Sequence, residues 1–108
     1  MATPVLLTPE AEAQIRRIDS WWRGNRPLAP NLFIEEFAAA CELLGGAPEA
    51  GKRYPHSEVA GVRRILMRAT RNHVYYRVHE GAVLVLSVWG AVRGSGPDLK
   101  DLTPAGDS

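Results

Sequence analysis

The stretch GVRRILMRATRNHVYYRV, residues 61–78, predicts a β-hairpin with strands over residues 62–69 and 73–79. The second strand alternates between apolar and polar side chains, which is typical of a strand with one face on a core. Its core face would carry Val74, Tyr76 and Val78. Its other face would carry His73, Tyr75, Arg77 and His79. The hairpin therefore predicts a sheet with one apolar face and one open polar face.

The positive charge of the chain is concentrated around this hairpin, although the formal net charge of the whole chain is only +1. Residues 1–49 hold four Arg and seven acidic residues, residues 50–96 hold eight basic and two acidic residues, and residues 97–108 hold one Lys and three Asp. A basic middle between acidic ends indicates a surface for an anionic partner. The predicted anion-binding side chains are Arg63, Arg64, Arg68, Arg71, His73, Tyr75, Arg77 and Arg93.

Two amphipathic helices precede the hairpin. The first is predicted to begin at Thr8, a good N-cap residue, and to present one apolar face: Ala11, Ile15, Ile18 and Trp22. The second is predicted over residues 30–44, with the same four-three-four spacing of its apolar side chains: Phe33, Phe37, Ala40 and Leu44. A short connection between two such helices makes an antiparallel helical hairpin.

The remaining segments complete a predicted α+β fold. Residues 5–7 predict a short first strand, and residues 82–89, AVLVLSVW, predict a central strand that is apolar on both faces. Residues 47–60 predict a loop, with contact candidates at Lys52, Arg53, Tyr54 and His56. The predicted order is β-α-α-β-β-β. The helical hairpin would pack on one face of a mainly antiparallel four-stranded sheet, and its first strand would pair beside the last. In the first hairpin strand, Ile65, Met67 and Ala69 would face the helices.

Length and composition predict one domain over residues 1–102, followed by a disordered tail over residues 103–108. Cys41 is the single cysteine, so an internal disulfide is impossible, and its place among Ala and Leu predicts a buried, inert thiol. No apolar run approaches the about 20 residues of a membrane span, and the N-terminus does not resemble a signal peptide. These features predict a cytoplasmic protein.

The predicted polar face is compatible with three roles. Arginine pairs with phosphate and aromatic rings stack on bases, so the face could bind nucleic acid. A base, an acid and a charge stabiliser that converged on one phosphate could cleave RNA. The same cations could bind an acidic peptide. We expect no metal, because His73 and His79 would lie about 20 Å apart along one strand. We expect no cofactor, because residues 94–97 lack the Lys and helix of a phosphate-binding loop.

The ordered set of segments resembles the RelE/ParE superfamily of toxins from type II toxin–antitoxin systems, and its ParE-like branch above all. The matching segments cover about residues 5–99: LTPEAEAQIRRIDSWW, APNLFIEEFAAACELL, PEAGKRYP, GVRRILMRATRNHVYYRV, VLVLSVWGAVRG and PDL. The resemblance implies the fold described above, a plasmid-stabilisation role, and an antitoxin partner whose flexible end folds over the toxin. It places the antitoxin contact at four aromatic side chains: Trp21, Trp22, Tyr54 and Trp89.

The resemblance leaves the toxin's target open. ParE-like members inhibit DNA gyrase and arrest growth, and we expect this target. RelE-like members cut mRNA on the ribosome without a metal, for which this chain would offer Arg63, Arg71, His73 and Arg93. Active ribonucleases of the superfamily often carry His or Tyr after the last strand, whereas this chain has Gly90-Ala91-Val92 there. The other alternative is a non-toxic member that binds an antitoxin.

Overall fold

Two helices lie on one face of a five-stranded sheet in the computed structural model, which describes residues 2–91, 96–99 and 102–106. The strands are β1 (Val5–Leu7), β2 (Lys52–Arg53), β3 (Arg63–Met67), β4 (Asn72–His79) and β5 (Ala82–Gly90). The helices are α1 (Pro9–Asn25) and α2 (Leu32–Gly46). The sheet order is β1-β5-β4-β3-β2, in which β1 is parallel to β5 and the other pairs are antiparallel. The predicted α+β class, the meander and the place of the first strand are confirmed.

The prediction of four strands is wrong, because Lys52 and Arg53 form an additional edge strand inside the predicted loop. Lys52 lies opposite Arg64 and Arg53 lies opposite Arg63. The backbone N–H of Tyr54 continues this pairing by donating to the carbonyl of Val62 at 2.9 Å. Two residues are too few to show the alternation of apolar and polar side chains that marks a strand in a sequence. This strand is recognised only by its pairing with β3 in the structure.

The helices begin and pack as their sequences predict. The Thr8 hydroxyl accepts a hydrogen bond from the backbone N–H of Ala11 at 3.1 Å, and Pro9 occupies the first helical position. The predicted apolar stripes of both helices pack into one core with the inner faces of β3, β4 and β5. Ile65 and Met67 face this core as predicted. Cys41 is half-buried against it, and this burial raises the pKa of its thiol.

The middle of β5 contains a bulge that α1 stabilises with buried hydrogen bonds. Leu86 lies between the residues of β5 that pair with Tyr75 and Tyr76, and has no Cα partner of its own in β4. The Thr8 hydroxyl donates to the carbonyl of Leu86 at 3.2 Å. The Gln14 side-chain oxygen accepts from the Ser87 hydroxyl at 2.9 Å and from the Val88 N–H at 2.8 Å. Polar groups that an irregular strand would otherwise leave unpaired in the core are therefore satisfied by one helix.

The face of the sheet turned away from the helices, called here the second face, is not open as predicted. A second core cluster covers it, formed by Val62, Tyr75, Leu84, Leu86 and Leu99, with Tyr54, Val59 and Trp89 packed against them. Tyr75 is therefore only 2% exposed. The covering residues come from the segment before β3 and from the chain after β5. The alternation of apolar and polar side chains along β4 could not predict that these distant residues cover it.

Two further predictions about side-chain orientation are wrong. Val78 is 44% exposed rather than buried; it lies near the end of β4 and lines a shallow surface depression with the loop residues 47–50 that follow α2. Ala69 is exposed and lies outside β3, in the turn that leads to β4. The alternation along a strand assigns a side chain to a face of the sheet, but it does not show whether anything packs on that face at the strand's end or in the turn that follows.

The described part of the chain's end lies along the outer edge of the sheet. The backbone N–H of Ala105 donates to the carbonyl of Leu7 in β1 at 2.6 Å. The limits of the domain and the disorder of residues 103–108 stay predictions. In the described residues, neither helix has both the length and the hydropathy that crossing a bilayer requires.

The hydrogen bonds of Gln14 generate a prediction about stability. Gln14→Leu should lower the free energy of unfolding by about 1–3 kcal/mol for each of the two donors that it leaves unpaired. Ser87→Ala should cost less, about 1 kcal/mol, because the Val88 N–H keeps its acceptor. Urea unfolding followed by circular dichroism measures both values. If Gln14→Leu costs no more than Ser87→Ala, the bulge does not depend on Gln14.

Candidate functional site: a cation–aromatic cluster and a tryptophan groove

Arg64 stands at the centre of a cation–aromatic cluster on the second face. It lies opposite Tyr75 in the β3–β4 pair, and its Nη1 donates to the Tyr75 hydroxyl at 3.2 Å. Its guanidinium carbon lies 5.1 Å from the ring centroid of Tyr54 and 5.9 Å from that of Tyr75. Tyr54 packs edge-on against Tyr75 at 4.9 Å between centroids, and His56 lies 5.5 Å from Tyr54. The Arg64 guanidinium is thus held against two aromatic rings by cation–π attraction.

His73 extends this cluster toward β5. It lies opposite Leu66 on one side and Trp89 on the other, and its ring centroid is 5.9 Å from that of Tyr75. Burial lowers the pKa of its imidazole below the ordinary value of 6.5, and the charge of Arg64 lowers it further. The neutral form of His73 is therefore favoured near neutral pH.

Arg63 does not belong to the second face, although the sequence predicts it as anion-binding. It lies opposite Tyr76, on the helix side of the sheet. Its Nη1 donates to the carbonyl of Gly51 at 2.8 Å and contacts that of Glu49 at 3.4 Å. The Gly51 N–H in turn donates to the buried Tyr76 hydroxyl at 2.8 Å. A Cβ at Gly51 would lie 2.6 Å from that hydroxyl oxygen, so the loop approaches β4 this closely only because residue 51 is glycine.

Two other basic residues share the second face with Arg64. Lys52 lies directly opposite Arg64 and is exposed. Arg77 lies opposite Leu84 and is half-buried, and its Nε atom has no hydrogen-bond partner among the described residues. The second face therefore combines three cations with tyrosine and histidine rings. Arg63 lies on the opposite face from His73, so these two of the four residues considered for RNA cleavage are not brought together.

All three tryptophans of the chain line one groove, called here the tryptophan groove, between the C-terminal half of α1 and the adjoining end of the sheet. Its volume is about 630 Å³. Trp21 and Trp22 pack edge-on, with 5.7 Å between their ring centroids, and Trp21 is 49% exposed. Trp89 lines the groove from β5. Three of the four predicted antitoxin-binding side chains thus converge, whereas Tyr54 lies in the cation–aromatic cluster.

Three arginines surround the tryptophan groove: Arg17, Arg26 and Arg71. The guanidinium carbon of Arg26 lies 5.0 Å from the centroid of Trp21 and 5.8 Å from that of Trp22. Arg71 was predicted as anion-binding, but Arg17 and Arg26 were not. Arg17 precedes Trp21 by four residues, and Arg26 follows Trp22 by four. Residues four apart on a helix are neighbours on its surface, so this spacing could have predicted both arginines.

Glu36 of α2 holds the turn that brings Arg71 to the groove. Its carboxylate accepts hydrogen bonds from the backbone N–H groups of Ala69 and Thr70 at 2.8 and 3.0 Å, and from the Thr70 hydroxyl at 2.7 Å. Arg71 adopts a φ of 61°, a left-handed conformation that most residues avoid. Arg68 of the same turn is exposed. The turn is therefore stabilised by α2, a helix more than 20 residues away in the sequence, and no sequence pattern predicts this contact.

Arg93 lies outside the described residues. Within residues 2–91, 96–99 and 102–106, no group of three or more His, Cys, Asp or Glu side chains comes together in a way that could hold a metal ion.

Residues 5–93 match the model of a family described as the ParE toxin of the type II toxin–antitoxin system parDE. The chain belongs to the ParE toxin family. The ParE-family fold is also similar to a solved structure described as the chromosomal ParDE TA system from P. aeruginosa, with a TM-score of 0.68 and 19% sequence identity. The alignment covers 82% of this chain and 96% of that one. At this identity the likeness concerns the fold alone. No curated protein matches the chain significantly.

The contacts of Glu36 in this ParE-family toxin predict that its removal loosens the turn over residues 68–71. Glu36→Ala should lower the free energy of unfolding by about 1–3 kcal/mol, because it removes the charged acceptor of three hydrogen bonds. It should also speed hydrogen exchange at the N–H groups of Ala69 and Thr70. Glu35→Ala is the matched control, since Glu35 is the exposed neighbour on the same helix. Equal effects of the two variants would contradict this role.

The lowered pKa of His73 in the ParE-family toxin predicts a loss of stability in mild acid. As the pH falls through about 6.5, the unfolded chain takes up a proton before the folded chain does, so the free energy of unfolding decreases. The decrease should end once the pH is below the folded-state pKa. Urea unfolding between about pH 7.5 and pH 5 should show this slope, and His73→Gln should remove it. His79→Gln, at an exposed position of the same strand, should retain it.

Proposed function

We propose that this ParE-family toxin inhibits DNA gyrase and is neutralised by a cognate antitoxin. The match of residues 5–93 to the ParE toxin family carries the proposal. The resemblance to ParE-like toxins implies gyrase as the target, and the likeness to the ParDE structure supports an antitoxin as the partner. Inhibition would be stoichiometric, because it requires the toxin to bind and to hold gyrase, not to break a bond.

The second face is the surface that we assign to the target. Lys52, Arg64 and Arg77 present positive charge there. Strand pairing fixes their positions: Lys52 lies opposite Arg64, and Arg77 lies opposite Leu84. The rings of Tyr54 and Tyr75 back the Arg64 guanidinium. Gyrase at work is bound to DNA, so its surroundings contain phosphates as well as protein carboxylates, and guanidinium groups pair well with both.

The tryptophan groove is the surface that we assign to the antitoxin. Trp21, Trp22 and Trp89 provide large apolar contact areas at low entropic cost, which is typical of residues that dominate binding energy. A segment that folds on binding could extend from the groove to Tyr54, since Trp89 and Tyr54 both pack against the second core cluster. Such a segment would contact all four predicted aromatic side chains and cover the target surface.

The placement of the basic residues does not favour RNA cleavage. Charge stabilisation requires cations around one phosphate, close to the group that transfers the proton. Arg63 is committed to backbone carbonyls on the helix side, whereas His73 lies on the second face.

A supercoiling assay tests the proposal directly. Purified toxin, titrated into gyrase with relaxed plasmid, should inhibit supercoiling and trap cleaved DNA, and purified antitoxin should restore supercoiling. Full gyrase activity in the presence of an excess of folded toxin would overturn the proposal.

Charge reversals separate the second face from the rest of the surface. Lys52→Glu with Arg64→Glu should weaken inhibition by roughly ten-fold or more, because both cations face the assigned surface. Arg53→Glu with Arg16→Glu is the matched control: it makes the same change in net charge, but Arg53 is exposed on the helix side of β2 and Arg16 on α1. Circular dichroism confirms that each variant folds. If the control weakens inhibition equally, the second face is not the target surface.

A further inference from the structure

Four basic residues face one another across the strand pair at the edge of the sheet. Lys52 lies directly opposite Arg64, and Arg53 lies directly opposite Arg63. Residues in such positions have Cβ atoms about 5 Å apart, and like charges there destabilise the pair. None of the ion pairs among the described residues includes any of these four cations. The fold therefore keeps an unfavourable arrangement of charge at this edge, which an anionic ligand would relieve.

The two like-charged pairs differ in the partners that the structure gives them. Arg63, on the helix side, is committed to the carbonyl of Gly51 at 2.8 Å. Arg64, on the second face, donates only to the Tyr75 hydroxyl within the described part of the chain. Lys52 is exposed, and its side chain has no hydrogen bond or ion pair with another described residue. Lys52 and Arg64 are therefore the pair in which both cations are available to a ligand.

The Arg64 guanidinium is held in place before a ligand binds. Its carbon lies 5.1 Å from the ring centroid of Tyr54 and 5.9 Å from that of Tyr75. Tyr54 is itself fixed, because its backbone N–H donates to the carbonyl of Val62 and its ring packs edge-on against Tyr75. Little side-chain entropy of Arg64 is therefore left to lose on binding. The exposed Lys52 beside it can adjust its longer, flexible side chain to the ligand.

Arg77 continues the row of cations across the second face. It follows Tyr75 by two residues on β4, and Tyr75 lies opposite Arg64. Arg77 is thus a diagonal neighbour of Arg64, about 7–8 Å away. Its Nε atom has no hydrogen-bond partner among the described residues. Cations at such short intervals across three adjacent strands fit a ligand that repeats its negative charge at short intervals, as a sugar–phosphate backbone does.

The two tyrosine rings of the second face are not free to stack on bases. Tyr75 is only 2% exposed. Tyr54 is half-buried, with Arg64 against its ring and with edge-on contacts to Tyr75 and His56. Proteins that bind single strands stack the bases on aromatic side chains. This face is therefore better suited to the backbone of a duplex, in which the bases are already stacked on one another.

The charge of the whole chain is too small for tight binding to DNA alone. The formal net charge is +1 and the pI is about 8.0, whereas nucleic-acid-binding domains commonly have a pI above about 9. A few phosphate contacts add useful affinity where another interaction already holds the DNA nearby, because the second contact is then effectively intramolecular. Gyrase bound to its substrate provides that situation.

We propose that Lys52 and Arg64, with Arg77 beside them, bind the sugar–phosphate backbone of the duplex DNA that gyrase holds. The inference rests on the proposed function, and it names phosphate, not protein carboxylate, as the ligand of these cations. A toxin that contacts gyrase and its DNA together binds the DNA-bound enzyme more tightly than the free enzyme. Since a ligand shifts an equilibrium by the difference in its affinity for the two states, this toxin favours DNA-bound gyrase.

Binding of the full toxin to gyrase, with and without a duplex, tests the inference. The wild type should bind the gyrase–DNA complex roughly ten-fold more tightly than gyrase alone. Lys52→Gln with Arg64→Gln should remove most of this difference and leave binding to gyrase alone little changed. Equal affinity of the wild-type toxin for gyrase with and without DNA would overturn the inference.

The salt dependence of binding counts the phosphate contacts. For the gyrase–DNA complex, the slope of log affinity against log salt should be shallower by about 1.8 in the double variant, about 0.9 for each cation removed. Lys52→Gln alone leaves the contacts between Arg64 and the tyrosines in place, and it should change the slope by about 0.9. Unchanged slopes in both variants would contradict phosphate binding.

Arg16→Gln with Arg53→Gln is the matched control. It removes the same charge as the double variant, and Arg53 is the neighbour of Lys52 on β2 but lies on the helix side. This control should keep both the preference for gyrase–DNA and the steep salt slope. Circular dichroism confirms that each variant folds. An equal loss in the control would reduce the effect to net charge and overturn the inference.

Photo-crosslinking distinguishes phosphate from protein carboxylate as the ligand. Lys52→p-benzoylphenylalanine should crosslink to DNA in the complex of toxin, gyrase and duplex. Arg53→p-benzoylphenylalanine, on the opposite side of the same strand, should not. Crosslinks from residue 52 to gyrase alone would overturn the inference and identify a protein surface as the partner of these cations.

Binding to a duplex oligonucleotide alone, at about 20 mM salt, separates failure of this inference from failure of the proposed function. The wild-type toxin should bind weakly, and Lys52→Gln with Arg64→Gln should bind roughly ten-fold more weakly still. A toxin that binds the duplex in this way without inhibiting gyrase would overturn the proposed function and leave the phosphate site standing. A toxin that inhibits gyrase but shows no dependence on DNA in either binding assay would do the reverse.

Discussion

The buried hydrogen bonds between α1 and β5 fix the position of α1, and with it the two tryptophans of that helix, against the sheet. Thr8 both caps α1 and donates to the carbonyl of Leu86, and Gln14 accepts from two donors of the bulged strand. Apolar packing tolerates small shifts between a helix and a sheet, whereas these hydrogen bonds are directional and costly to leave unmade. The rotation and height of α1 are thereby defined. Trp21 and Trp22 follow Gln14 by about two helical turns, so they lie beside the end of the sheet.

The fold divides its basic residues among three tasks. Arg63 supports the loop before β2 from the helix side, Arg64 belongs to the second face, and Arg71 reaches the tryptophan groove through a turn that Glu36 holds. Adjacent residues of a strand point to opposite faces, so Arg63 and Arg64 cannot act together. A charge excess that looks like one surface in the sequence is therefore divided among the second face, the tryptophan groove and a structural support.

These two surfaces meet at Trp89. It lines the tryptophan groove, packs against the second core cluster and lies opposite His73. Under the proposed function, this connection gives a physical reason why a partner in the groove could also affect the target surface. A segment anchored on the tryptophans of α1 needs to extend only past Trp89 to reach Tyr54 and Arg64. Neutralisation would then require coverage of a surface, without a change in the conformation of the sheet.

The sequence by itself determined the elements whose pattern repeats. The four-three-four spacing of α1 and α2, the cap at Thr8 and the doubly apolar β5 were all predictable, because each depends on neighbours along the chain. Motif order also indicated the toxin family. Only the tertiary structure decided the edge strand β2, the burial of Tyr75, the exposure of Val78 and the convergence of Arg17, Arg26 and Arg71 on three tryptophans. Those features depend on residues far apart in the chain that come together, such as Leu99 and Tyr75 in the second core cluster or Glu36 and Thr70 in a hydrogen bond, and sequence periodicity does not reveal such pairs.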